Sequence, residues 1–145
     1  MTTKDWLLLF ICLAGPEGYE PDSLEPVHIM KGMFLFAMQS GRPPGELYHF
    51  EPYHYGPFSA EVYRDLDALV AEDLIRAERV GGQTWSLYYA TERGAQEARA
   101  LKRAADPEAV ARLTEIRRYV VDLPFARLLR EIYAKYPRFA ARSLL

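Results

Sequence analysis

Two adjacent glycines, Gly81-Gly82, restrict the fold of this sequence more than any other feature. They join residues 75–80 to residues 83–90, and both runs have the composition of β-strands. A two-glycine link between such runs predicts a tight β-hairpin. The preceding residues, 59–74, have helical periodicity, so we expect a helix that leads directly into a hairpin.

Two helices and a short strand are predicted before this unit. The apolar run at residues 6–14 predicts a buried first helix that ends before Gly15, and residues 26–39 predict a second helix with Pro26 in its first turn. Residues 47–55 are rich in aromatic side chains, and Pro52 restricts them to an edge strand. The second helix is expected to be central, because its only plausible exposed stripe is short. That stripe comprises His28, Lys31, Leu35 and Gln39.

The third helix has the clearest start signal. Residues 55–59 predict a turn that delivers Ser59 as N-cap, with Phe58 and Tyr63 as a hydrophobic staple. Its opposite face is acidic, since residues 59–74 hold one basic and five acidic residues. Its expected apolar face comprises Val62, Leu66, Leu69, Val70 and Leu74.

Three further helices are expected after the hairpin. Thr91 caps the fourth, Asp106-Pro107 opens the fifth and Leu123-Pro124 precedes the sixth. We predict that residues 106–145 form a helical extension that packs on residues 1–105 or dimerises through its apolar stripes. Its arginines are expected on a solvated face, at positions Arg117, Arg118, Arg127, Arg130, Arg138 and Arg142.

This order of elements predicts an α+β fold: a winged helix-turn-helix domain at residues 1–105 with a C-terminal helical extension. Residues 59–74 take the place of the recognition helix, and residues 75–90 take that of the wing. One domain suits a chain of 145 residues with 50% hydrophobic side chains. The single cysteine, Cys12, excludes an intramolecular disulfide and fits a cytoplasmic protein.

No targeting or membrane segment is expected. The run at residues 6–14 is far shorter than the roughly 20 residues that span a bilayer. Lys4 is balanced by Asp5, so the positively charged start of a signal peptide is missing. We therefore interpret this run as core.

Catalytic and metal-binding patterns are not found in the sequence. His28, His49 and His54 lack the spacing of metal ligands, and Cys12 lies in an apolar helix, where a thiol is usually inert. We expect no enzyme activity, no metal and no cofactor.

A family resemblance rests on residues 53–59, YHYGPFS, followed by Val62, Leu66 and Leu69. This block resembles that of the YwgA-like winged-helix proteins and the Panacea-type antitoxins of toxin–antitoxin and phage-defence loci. The ending at residues 133–140 is similar to that of the YwgA-like proteins. Leu69, Leu74 and Ile75 with residues 89–94, YATERG, resemble a pattern of bacterial winged-helix proteins in general, although Ala90 stands where leucine is usual. The resemblance implies binding to a protein partner rather than chemistry.

Two functions remain open at this point, and a hydrolase subunit without a recognisable motif is a third, weaker hypothesis. Because a helix with five acids fits a phosphate backbone poorly, we favour a regulatory, antitoxin-like module that binds a protein, and a basic partner would suit the acidic helix. Its partner-binding residues would be Tyr53, His54, Tyr55, Glu61, Arg64, Asp65 and Ala68. The alternative is a dimeric transcription regulator that binds DNA through Arg64, Arg76, Arg79 and Gln83.

Overall fold

A computed structural model describes residues 1–13, 23–43 and 45–145, and within these ranges the chain is a mixed α+β structure with six helices and two small antiparallel sheets. A short 3-10 helix, Pro137–Ala140, follows the last helix. The elements in chain order are α1 (Thr3–Cys12), α2 (Pro26–Gln39), β1 (Glu51–Tyr53), β2 (Gly56–Phe58), α3 (Ala60–Ala71), β3 (Ile75–Arg79), β4 (Ser86–Ala90), α4 (Glu92–Ala104), α5 (Pro107–Asp122) and α6 (Phe125–Lys135).

Helix α1 lies at the centre of the core, as its apolar sequence predicts. Thr2 and Asp5 form a capping box: Asp5 N donates to Thr2 Oγ1 at 3.1 Å, and Thr2 N donates to Asp5 Oδ2 at 2.9 Å. All residues from Trp6 to Ile11 are buried, and α1 contacts α2, α3, α4 and α5. The glycine and proline stretch expected to end the first helix, residues 15–18, lies outside the described residues.

The exposed stripe predicted on α2 is wrong at two of its four positions. Lys31 and Leu35 are buried, at 5% and 4% exposure. Helix α5 packs along α2, and the β1–β2 hairpin covers the part of α2 around Lys31. The stripe was inferred from the helix alone, whereas the elements that cover it come from distant parts of the chain.

The segment expected to be one edge strand followed by a turn is a two-stranded hairpin. Strands β1 and β2 pair antiparallel with Pro52 opposite Pro57 and Tyr53 opposite Gly56, so that His54 and Tyr55 form the turn. Gly56 has a φ of 89°, a conformation that glycine adopts readily. The prolines concealed the second strand, because they read as turn residues in the sequence.

Helix α3 begins as predicted and buries one face. Ser59 is the N-cap, although its side chain makes no capping bond, and the Phe58 and Tyr63 rings of the staple lie 5.9 Å apart. Val62, Leu66 and Leu69 are buried, as is Leu74 beyond the end of the helix. Val70 is 38% exposed, so its place on the apolar face was wrong.

The hairpin predicted at residues 75–90 is confirmed, but it is not tight, because β3 ends at Arg79, β4 begins at Ser86 and residues 80–85 join the two strands. Strands β3 and β4 pair from Ile75 opposite Ala90 to Arg79 opposite Ser86. Leu24, just before α2, adds an isolated bridge to the other edge of β4. Its N donates to the Tyr88 carbonyl at 2.8 Å, and Tyr88 N donates to the Leu24 carbonyl at 3.0 Å.

Residues 106–145 share one core with the residues before them. Helix α5 packs on α2 and α1, and its side chains Val110, Leu113 and Ile116 are buried within the chain. In α6, Leu128, Leu129 and Ile132 are buried as well, whereas Phe125 at the start of its apolar stripe is 37% exposed. No helix within the described ranges has the length and apolar character needed to cross a membrane.

Arg117 departs from the solvated face expected of these helices. It is only 4% exposed, and it donates from Nε to the Phe10 carbonyl at 2.8 Å and from its Nη2 atom to the Ile11 carbonyl at 3.3 Å. These carbonyls belong to the last turn of α1, where the helix itself supplies no donor. Arg117 thus ties α5 to the end of α1.

Candidate functional site

The aromatic residues near the β1–β2 hairpin divide into a buried pair and a surface group. Tyr48 and Phe50 are buried. The Tyr48 hydroxyl donates to Asp65 Oδ2 at 2.6 Å, and burial together with this hydrogen bond raises the pKa of Tyr48. Tyr53, Tyr55 and Tyr63 keep large exposed areas, so the surface group is the candidate for recognition.

Three of the predicted partner-binding residues, Tyr53, His54 and Tyr55, lie together at the tip of this hairpin. The Tyr53 and His54 rings stack with centroids 4.4 Å apart and planes 9° apart, and Arg142 lies over the Tyr53 ring at 5.6 Å. Leu144 N donates to the His54 carbonyl at 2.9 Å, which attaches the last residues to the tip. Tyr55 is 48% exposed.

Asp65, a predicted partner-binding residue, is engaged within the chain. Its Oδ2 accepts hydrogen bonds from Thr3 Oγ1 at 2.8 Å and from the Tyr48 hydroxyl at 2.6 Å. The carboxylate therefore joins α3 to α1 and to the segment before β1. The half-buried side chain is less available to a partner than the sequence suggested.

Two further acids of residues 59–74 are also engaged within the chain. Glu61 Oε1 accepts from His49 N at 2.8 Å, and Glu72 forms an ion pair with Lys4 at 2.6 Å. The remaining two, Asp67 and Asp73, are exposed. The acidic face predicted for the third helix is thus only partly available.

The exposed ridge of α3 is nearly neutral. It carries Tyr63, Arg64, Asp67 and Val70, so it holds one cation and one anion. Ala68, another predicted contact, is half-buried. Beside the ridge, the β3–β4 hairpin exposes the predicted DNA contacts Arg76, Arg79 and Gln83.

The structure also forms a groove that the sequence did not predict. It has a volume of about 690 Å³ and lies between the start of α2, the β1–β2 hairpin, the start of α3 and the first residue of α6. We call it the aromatic groove after the six aromatic side chains in its lining: Tyr53, Tyr55, Phe58, Tyr63, Trp85 and Phe125. The rings of Tyr55 and Phe125 meet edge to face with centroids 5.6 Å apart. Phe125 and Trp85 are distant in sequence from the hairpin, so no local pattern placed them there.

Lys31 is the unexpected polar residue of this groove. Its Nζ donates to the Pro57 carbonyl at 2.9 Å, and its side chain is almost fully buried. Burial lowers the pKa of Lys31 from 10.5 to about 8. The ammonium is therefore still protonated at neutral pH, although its surroundings disfavour the charge.

Cys12 lacks the surroundings of a reactive thiol. Burial raises the pKa of Cys12 to about 12, and the opposing effect of Arg117 is smaller. The thiolate, which is the nucleophilic form, is therefore scarce at neutral pH. Within the described residues, no three histidine, cysteine, aspartate or glutamate side chains are grouped so as to hold a metal ion.

No protein-family model matches this sequence, and no curated protein matches it.

Proposed function

We propose that this chain is a winged helix-turn-helix protein. The support is the contact between Leu24 and Tyr88, which adds the segment before α2 to the edge of the β3–β4 hairpin. With this bridge the element order is helix, single-residue bridge, helix, the β1–β2 hairpin, helix and the β3–β4 hairpin, and apart from the β1–β2 hairpin this is the order of winged-helix domains. On this interpretation α3 is the recognition helix and β3–β4 is the wing.

We propose further that it is a non-enzymatic regulatory module, antitoxin-like or associated with defence, that binds a protein partner. The observation that carries this proposal is the exposure of Tyr53, Tyr55 and Tyr63 side by side at the hairpin tip and the start of α3. Tyrosine is a preferred anchor of protein interfaces, because it combines a large apolar ring with a hydrogen-bonding hydroxyl. The likeness of residues 53–59 to the YwgA-like and Panacea-type proteins points the same way.

The binding surface of this proposal differs from the one drawn from the sequence. Tyr53, His54, Tyr55 and Arg64 remain in it and Tyr63 joins them, whereas the internal hydrogen bonds of Asp65 remove it. Since the available charge is small, the partner need not be basic. Aromatic contacts carry the recognition instead.

A pull-down with matched tyrosine variants tests this function. Tyr55→Ala removes an exposed ring at the tip, and Tyr119→Ala removes a comparably exposed ring from α5. We expect one host protein to be retained by the wild type and by Tyr119→Ala, and to be lost by Tyr55→Ala, while all three proteins have the same circular dichroism spectrum. Equal retention by both variants would contradict the proposed surface.

DNA binding is the second candidate, and the ion pair of Glu72 favours it. Because Glu72, just beyond the end of α3, is paired with the Lys4 cation, residues 59–74 repel phosphates less than their composition suggests. Arg64, Arg76, Arg79 and Gln83 would supply the contacts. A random-sequence duplex bound with a Kd below about 1 μM and a steep salt dependence would favour DNA over a protein partner.

A further inference from the structure

The aromatic groove combines apolar walls with one buried cation. Among the described side chains that line it, only those of Glu25 and Lys31 carry charge. Glu25 precedes α2 and is half-buried, whereas the Lys31 side chain is buried against the β1–β2 hairpin, where its stem approaches Gly56. A ligand that enters between the aromatic rings therefore meets a cation.

The charge of Lys31 is not neutralised by the part of the chain that the structure describes. Its hydrogen-bond partner there is a backbone carbonyl, and no described carboxylate forms an ion pair with it. A buried charge is unfavourable unless it is paired. The charge of Lys31 therefore favours an anionic occupant.

We propose that the aromatic groove binds a small aromatic monocarboxylate, with its carboxylate on the Lys31 ammonium and its ring among Tyr55, Trp85 and Phe125. The volume of about 690 Å³ lies within the range of small-molecule sites. The apolar walls select the ring and the single cation selects one carboxylate. This ligand site goes beyond the protein-partner function, and neither proposal depends on the other.

Titration of purified protein with two acids and their neutral amides tests the site. The probes are benzoate and 3-phenylpropionate, each compared with its amide, followed by NMR chemical-shift changes of the full chain. We expect at least one acid to bind with a Kd below about 10 mM and about tenfold tighter than its amide. The shifts should concentrate at Tyr55, Trp85 and Phe125.

Two lysine variants separate the specific interaction from general electrostatics. Lys31→Met keeps the apolar volume but removes the cation, and it should bind acid and amide equally. Lys135→Met removes an exposed lysine from α6 and should keep the preference for the acid. The proposal fails if neither acid binds, if acid and amide bind the wild type equally, or if Lys31→Met still prefers the acid. No partner protein is present, so failure here leaves the protein-binding proposal intact.

Discussion

Replacement of Lys31 by methionine should stabilise the protein at neutral pH. The pKa of Lys31 falls from 10.5 to about 8 on folding because the ammonium loses its water. At about 1.4 kcal/mol per pH unit, keeping it protonated in the folded state costs roughly 3 kcal/mol at pH 7. The variant also loses the hydrogen bond to the Pro57 carbonyl, which offsets about 1 to 2 kcal/mol of this gain. We expect Lys31→Met to raise the free energy of unfolding by about 1 to 2 kcal/mol.

The pH dependence of this difference is the sharper test. A basic group whose pKa is lowered on folding destabilises the folded state, and the penalty has its full size at pH values below the folded pKa, here about 8. The penalty is relieved as the pH rises towards the unfolded value of 10.5. Between pH 7 and about 9.5 the wild type should therefore gain roughly 2 kcal/mol relative to Lys31→Met.

Urea denaturation at several pH values measures this gain. The raised pKa values of Tyr48 and Tyr63 affect wild type and variant alike, so they cancel in the difference. Lys102→Met, at an exposed position of α4, serves as the control and should show no such pH trend. A constant difference between wild type and Lys31→Met across this range would refute the reasoning, because it would mean that the ammonium reaches water.

Three further substitutions or modifications probe other parts of the structure. Tyr48→Phe leaves Asp65 without its closest donor and should lower the free energy of unfolding by about 1 to 3 kcal/mol in urea, whereas an unchanged value would show that Asp65 is solvated. Gly56→Ala should cost about 1 to 3 kcal/mol by thermal denaturation, since φ is 89° and a Cβ would lie 2.8 Å from Leu129 Cδ2; no loss of stability would argue against the hairpin geometry. Cys12 should resist iodoacetamide at pH 8 in the folded protein and react once urea unfolds it, because burial raises the pKa of its thiol to about 12; rapid labelling without urea would contradict its burial.

Helix positions were predicted correctly where a local signal marks the start of the helix. Pro26 begins α2, Thr91 accepts from Gly94 N at 3.0 Å at the start of α4, and Pro107 begins α5. Each signal acts through the backbone of its own first turn. The β1–β2 hairpin was not predicted, because its prolines suggest a turn. Its strands are recognised only from their pairing in the structure.

The sequence predicted the tyrosines of the candidate site, but it gave the acids of α3 the main part in choosing the partner. The tyrosines at the hairpin tip were expected as contacts, and they are exposed. The acids of α3 were expected to decide the partner, but hydrogen bonding engages Asp65 and Glu61 with residues far along the chain. Charge counted along a sequence does not tell which carboxylates face solvent.

The sequence by itself determined the helix starts, the glycine hairpin and most of the apolar core, because these depend on backbone preferences and on periodicity within a few residues. Only the tertiary structure decided that Lys31 and Arg117 are buried, that Asp65 points inward and that Trp85 and Phe125 complete a groove with the hairpin tyrosines. These properties arise where distant segments cover one another. They depend on which surfaces meet, and that information is not contained in any single stretch of the chain.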